Sequence, residues 1–215
     1  MSNNIPDDIL NGLKTIPTHS AVALIIRHSI REYIPEGQVG NEAGLTHEGK
    51  ILARSLGMVI GNRLSSVTTS PIGRCKETAE CIISGANLDF SFATSKLLGD
   101  PGVFISDGAL AWQNFQALGT SGVMLHLANK HNALPGMKIP RDAANELLGS
   151  MLNNTKPGIH LFVSHDVVVS GIAGQLIGGI ESHESLPKYL EGAFFWKEDQ
   201  RTFGSFRNDK KQIVI

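Results

Sequence analysis

The sequence predicts an α/β protein whose sheet is mainly parallel and covered by helices on both faces. Residues 21–26 (AVALII) are apolar without interruption, and 159–163 (IHLFV) are apolar but for His160. Such short runs read as strands buried on both faces, the habit of parallel sheets. The segments around them carry apolar residues at helical spacing, so strands and helices alternate along the chain. With 215 residues, 41% hydrophobic and 18% charged, the chain supports one sizeable core and has no bias toward disorder.

In order, residues 5–16 form a short amphipathic helix closed by Pro17, and the first strand spans about 21–27. Residues 32–45, rich in Gly, Glu, Asn and Pro, read as a loop. Thr46 caps a helix to about Ile60, with Ile51, Leu52, Leu56, Val59 and Ile60 along it. A second strand covers 65–69. Pro71, placed at the first helical position, opens the helix that carries Arg74, Thr78 and Ala79. The alternation of Phe90 and Phe92 predicts a third strand over 89–95. Residues 97–145 hold a turn at 99–102, helices near 109–118 and 122–130, and Pro135, Gly136 and Pro140 between elements. This exceeds what a minimal α/β unit needs and reads as a helical cap inserted in a single domain spanning 1–215. A helix at 141–153 leads to the apolar strand after Gly158, then to the small-residue helix VVVSGIAGQLIG. The last segments, GAFFW, TFGSF and QIVI, read as terminal strands.

The composition also sets bounds on function. A formal net charge of −1 argues against a dominant nucleic-acid or acidic-membrane face, so any basic site is a local pocket. Cys75 and Cys81 lie six apart in one predicted helix, on different faces, which predicts two free thiols and a reducing compartment. The acidic start, MSNNIPDDIL, lacks the basic region of a secretory signal. No apolar run approaches the roughly 20 residues that span a bilayer. The expectation is a cytoplasmic protein without membrane or nucleic-acid partners; its oligomeric state is left open.

Polar clusters stand where apolar strands end: Arg27-His28 with Arg31, Ser70 with Arg74, and His165-Asp166. Core packing calls for none of them. Parallel strands place their carboxyl ends on one edge, where ligands bind in open α/β sheets. Together they would supply three arginines, two histidines and a carboxylic acid. Guanidinium forks match phosphate oxygens bidentately and can neutralise them, an imidazole can attack phosphorus, and a carboxylic acid can protonate the leaving oxygen. This inventory predicts phosphoryl transfer without a metal or other cofactor.

The same motifs resemble those of the histidine phosphatase superfamily. LIIRHS is similar to its apolar strand followed by Arg-His-Gly, Leu45-Thr46-His47-Glu48-Gly49 to its Leu-Thr-x-x-Gly helix start, and residues 70–79 (SPIGRCKETA) to its Ser-Pro-x-x-Arg-x-x-x-Thr-Ala element. LFVSHD is similar to the closing histidine after an apolar strand. The four occur in the family's order over most of 21–178. The resemblance implies a three-layer, phosphoglycerate mutase-like α/β/α fold and a phosphatase acting on a small phosphorylated substrate. His28 would be the nucleophile, with Arg27, Arg74 and His165 on the phosphoryl group and Arg31 extending the pocket, as in the acid-phosphatase-like branch. That branch ends in His-Asp, which makes Asp166 the first choice of acid. The mutase-like branch takes its acid from the middle region, where Asp100 lies; Glu32 is a third choice. A phosphomutase and a non-catalytic phospho-ligand module are the alternative functions.

Ser29 stands where the family usually has glycine. Its carbonyl is expected to hold the nucleophile's other ring nitrogen, and its hydroxyl to reach toward the phosphate. Several other features carry less. GLTHEGK at 44–50 is one residue short of a Walker loop and follows a polar loop rather than a strand. Cys75 is expected to be a helix residue near the site, not a nucleophile. His126 and His131 are the histidines a cap could turn toward substrate. Trp112 and Phe115 read as core, and the glycines of 171–179 as close-packing positions without a Rossmann pattern.

Overall fold

The computed structural model describes residues 4–35 and 40–214. Within the expected loop at 32–45, positions 36–39 lie outside the described residues, as do the first three residues of the acidic start and Ile215 of the last strand segment.

Seven strands form one sheet in the order β3-β2-β4-β1-β5-β6-β7. β1 (Ala21–Arg27) lies at its centre, parallel to β4 (Gly158–Ser164) on one side. β2 (Leu64–Thr69) and β3 (Ala93–Thr94) continue that parallel half. On the other side β5 (Gly192–Glu198), β6 (Arg201–Phe206) and β7 (Asp209–Ile213) run antiparallel, each to its neighbour. The turns joining them hold Asp199-Gln200 and Arg207-Asn208 at positive φ, the requirement of tight hairpins between twisted strands. So the sheet is mixed, with its parallel strands in the middle.

β1 explains why an apolar run was legible. Ala23 and Ile25 enter one core cluster, while Val22, Leu24 and Ile26 enter the other. The first cluster lies beneath α4 (Gly108–Asn129), α5 (Pro140–Met151) and α6 (Asp166–Leu176). The second lies beneath α1 (Asp7–Thr15), α2 (His47–Ile60) and α3 (Gly73–Gly85). A strand covered by helices on both faces needs no polar alternation. Helix, sheet, helix: the three layers follow.

Three elements differ from expectation. Pro71 is not the first residue of α3; Ile72 is its N-cap, and Pro71 sits in the bend that turns Ser70 toward the site. The third strand is two residues long, because only Ala93 and Thr94 reach β2, opposite Thr68 and Thr69. Phe90 and Phe92 instead pack against the α1–α3 core. The helix expected over 141–153 spans Pro140–Met151, with Pro140 in its first turn, where a missing N–H costs nothing.

Residues 97–145 do two things. The second half of α4 and all of α5 belong to the helical layer over the first core, through Val123, Leu127, Ala144 and Leu148. At Gly119 a φ of 68° and ψ of 164° break α4, and its first half reaches the same core through Ala111.

Candidate active site

Register brings the predicted clusters together. Arg27 pairs with Ser164, and Thr69 with Val163, so β1, β2 and β4 end level with one another. The residues that follow, His28, Ser70 and His165, therefore emerge on one edge. The His28 amide donates to the Ser164 carbonyl at 2.8 Å and the Ser70 amide to Val163 at 2.9 Å, continuing the ladders past the strands.

His28 is 2% exposed. Its Nδ1 lies 2.8 Å from the Ser29 carbonyl, which can only accept, so Nδ1 carries the proton. Its Nε2 accepts from Arg74 Nε at 3.1 Å and therefore presents a lone pair. Burial first, then the neighbouring His165 and the cationic Arg27 and Arg74, hold the imidazole well below its usual pKa, keeping it neutral. This is the state a nucleophile needs.

Arg74, on the first turn of α3, spreads over the site. Besides His28, its Nη2 lies 3.3 Å from His165 Nδ1 and its Nη1 donates to the Gly40 carbonyl at 2.8 Å. His165 turns its Nε2 to Ser70 Oγ at 3.0 Å. Burial and the facing Arg74 lower its pKa to about 4. The ring is held from a third side by Gly99, where a Cβ would come within 2.7 Å of it and 2.5 Å of Ser70 Oγ.

Asp166 opens α6, with its Oδ1 accepting from the Val167 amide at 3.0 Å and its Oδ2 paired with Arg27 Nη2 at 2.9 Å. Burial pushes its carboxyl up, but Arg27, His28 and His165 outweigh this and hold it below the usual carboxylate range. Arg27 also donates from Nη1 to the Pro187 carbonyl at 2.8 Å, and its guanidinium lies 4.2 Å from the centre of the Tyr189 ring. Its Nε is buried without a partner among the described residues.

These groups stand at one end of a cleft of about 900 Å³. His28, Arg31, Arg74, His165, Asp166 and Asp100 all line it. Arg31 spends Nη1 on the Glu32 carbonyl at 2.8 Å, and Glu32 itself is exposed and outside the lining.

Ser29 is placed differently from expectation. Its hydroxyl donates to the Gly49 carbonyl at 2.7 Å and its amide to Thr78 Oγ1 at 3.1 Å. It is fully buried behind His28 and does not border the cleft. Its φ is not positive, so serine fits this turn without strain. Trp112, expected in the core, borders the cleft instead; Phe115 packs against the core as expected and lines the cleft as well. His126 turns Nε2 to the Asn132 carbonyl at 2.8 Å, and neither it nor His131 reaches the cleft. Cys75 lies 3.5 Å from His165 Nε2, yet burial drives its thiol up to about 12, so it is no thiolate. Among the described residues, no group of three His, Cys, Asp or Glu side chains is arranged to hold a metal ion.

The sequence reading missed Tyr189, Pro187 and the pair Glu191–Arg207. Buried Glu191 accepts from Arg207 Nε at 2.6 Å and from the Lys188 amide at 2.7 Å, fixing the loop that lays Tyr189 on Arg27. The hidden signal is topological. β5 is antiparallel to β1, with Gly192 opposite Ile26, so it begins at the edge where the parallel strands end.

Comparison with solved structures settles the architecture. Similar structures include phosphoglycerate mutase from Bacillus anthracis str. Sterne (12% identity, TM-score 0.54, covering 92% of this chain and 93% of that one). The fold is phosphoglycerate mutase-like. A mycobacterial glucosyl-3-phosphoglycerate phosphatase shares it at 15% identity and TM-score 0.52, covering 90% of this chain and 97% of that one. So does a protein described as mycobacterial hydrolase 1, at 16% identity and TM-score 0.52 over 91% of this chain and 97% of that one. No family model matches the sequence, and no curated protein was found similar to it. The phosphoglycerate mutase-like architecture is thus a finding about the chain's path; what the site does rests on its own residues.

Proposed function

We propose that the protein is a phosphomonoesterase working through a phosphohistidine on His28, without a metal. The observation that carries this reading is the pinned tautomer of His28. The Ser29 carbonyl holds Nδ1–H, leaving the Nε2 lone pair beside Arg74 in a cleft lined by a second neutral histidine.

In the first step Arg74 Nε passes its hydrogen bond from His28 Nε2 to a phosphoryl oxygen, the freed Nε2 lone pair attacks phosphorus and the ester P–O bond breaks. Charge on the phosphoryl oxygens is taken up by Arg74 and Arg31, which line the cleft, and by Arg27 once it leaves Asp166. The leaving oxygen takes its proton from the Asp166 carboxyl group. In the second step the Asp166 carboxylate removes a proton from water, the hydroxyl attacks phosphorus, and the P–N bond breaks. Inorganic phosphate leaves, with His28 neutral and Asp166 protonated again.

Asp166 is ionised while paired with Arg27, so the bound phosphoryl group must draw Arg27 away and raise the carboxyl's proton affinity. A substrate monoanion can deliver the proton, because phosphomonoesters titrate near pH 6. Asp100, lining the same cleft, is the second candidate acid.

The test is hydrolysis of p-nitrophenyl phosphate in EDTA. Turnover resistant to EDTA and lost in His28→Ala supports the reading, and full activity in His28→Ala overturns it. Acid-labile phosphate trapped on the protein without net hydrolysis points to a mutase. Phosphate binding without turnover points to a non-catalytic module. Asp166→Asn against Asp100→Asn identifies the acid by which variant slows substrates with poor leaving groups.

A further inference from the structure

The cleft is far larger than a phosphoryl group, and the space beyond its cationic end is apolar. Ile34 from the loop after β1, Ile105 from the stretch before α4, and Trp112 and Phe115 from α4 form its wall, backed by the core residue Phe104. The Trp112 and Phe115 rings lie with centroids 6.2 Å apart and planes tilted by 30°. Phe115 leans on the core behind it, whereas Trp112 does not belong to that core and borders the cleft instead. An indole left in a cavity beside a catalytic centre offers a flat face for another flat group.

Charge narrows the occupant further. Among the described lining residues the arginines are Arg31 and Arg74, both near the phosphoryl end, and the carboxylates are Asp100 and Asp166. A second phosphate or a carboxylate on the substrate would meet no free cation in the apolar part and would approach Asp100. Amide and hydroxyl groups there reduce to Asn41, Gln116 and Thr120. A polyol would give up its hydrating water for few partners, which is unfavourable, whereas a ring gains by leaving water.

We infer that the substrate is a small phosphomonoester with one phosphoryl group on a flat apolar alcohol, whose ring lies against Trp112 and Phe115. This rests on the phosphatase reading of the same site. Turnover follows the steps given above: the phosphoryl group passes to His28 Nε2, the arylalkyl alcohol leaves with the proton from the acid, and water ends in inorganic phosphate.

The test compares 2-naphthylmethyl phosphate with glycerol 1-phosphate and 3-phosphoglycerate, all alkyl esters, so ring recognition rather than leaving-group activation is read. The expected kcat/KM for 2-naphthylmethyl phosphate exceeds the others by about 30-fold or more, and Trp112→Ala lowers that preference by about tenfold, chiefly through KM. Trp112→Phe restores most of the preference, because a ring face remains. Trp112→Leu replaces the alanine variant where that fails to fold. Equal or better use of glycerol 1-phosphate or 3-phosphoglycerate, or a preference unchanged in Trp112→Ala, overturns the inference while leaving the phosphatase reading intact. If none of the esters is hydrolysed, p-nitrophenyl phosphate decides the phosphatase reading separately. Calorimetric titration of 2-naphthylmethylphosphonate then reads the cleft alone: binding weakened about tenfold in Trp112→Ala supports the apolar subsite, and unchanged binding overturns it.

Discussion

Ser29 shows how a residue beside the proposed nucleophile can orient it without bordering the cleft. The carbonyl of residue 29 does the orienting, at 2.8 Å from His28 Nδ1, and any amino acid supplies a carbonyl. The side chain is turned the other way, onto the Gly49 carbonyl near the start of α2. Its hydrogen bond therefore contributes to the docking of α2, not to phosphate binding. Ser29→Ala should lower the unfolding free energy by about 1 kcal/mol, the worth of one buried neutral hydrogen bond. KM for p-nitrophenyl phosphate should stay within about threefold, since no phosphate contact is lost. Urea titration and steady-state kinetics check both halves; a large rise in KM with stability unchanged would place the hydroxyl on the phosphate after all.

Among the elements, α4 formed where its pattern placed it, but the spacing of Trp112 misled about the face it presents. Asp107 caps it through its Oδ1, accepting from the amides of Ala109 and Leu110 at 2.9 and 3.1 Å. Asn114 ties its first half to the Pro135 carbonyl at 2.7 Å. Trp112 and Phe115 then fall at a spacing that a core face would also show, and periodicity alone does not say whether a helix faces core or cavity. The break at Gly119 separates a second half that joins the helical layer from a first half that keeps Ala111 in the core and leaves Trp112 bordering the cleft. A φ of 68° with a ψ of 164° is open almost only to glycine. Gly119→Ala, which meets no side chain, should cost about 1–3 kcal/mol through backbone strain alone. It should also raise KM for arylalkyl phosphates as the first half of α4 shifts. Denaturant titration and kinetics on 2-naphthylmethyl phosphate measure the two effects.

Over the whole molecule, the site opposes stability in acid. His165 titrates at about 4 in the folded protein and near 6.5 when unfolded. Between these values the unfolded chain binds a proton that the folded one refuses. Stability is thus fully present above about pH 6.5 and falls as pH drops toward about 4, below which this contribution is constant. His28, lowered for the same first reason, adds in the same direction. The His165 share is at most roughly 3 kcal/mol before solvent screening. Asp166 acts in a different window, since a carboxyl held low loses its contribution only below its own unfolded value, near 4. Urea midpoints at pH 7 and pH 4.5 should show a loss in the wild type that is smaller in His165→Gln; equal losses would exclude His165 as the source.

The sequence by itself determined the parallel centre of the sheet and the set of side chains at its edge. Continuous apolar runs mark strands covered on both faces, and polar clusters at their ends have no packing reason to be there. Arg27, His28, Arg74, His165 and Asp166 were therefore legible before any contact was known. The tertiary structure decided the direction each side chain takes. It turned the Ser29 hydroxyl away from the cleft, Trp112 into it, and Arg27 onto both Asp166 and Tyr189. It also brought in Tyr189, because an antiparallel strand starts where its parallel neighbours stop. Local spacing encodes which face of an element is apolar; pairing across 160 residues, as between Arg27 and Pro187, exists only once the sheet has closed that distance.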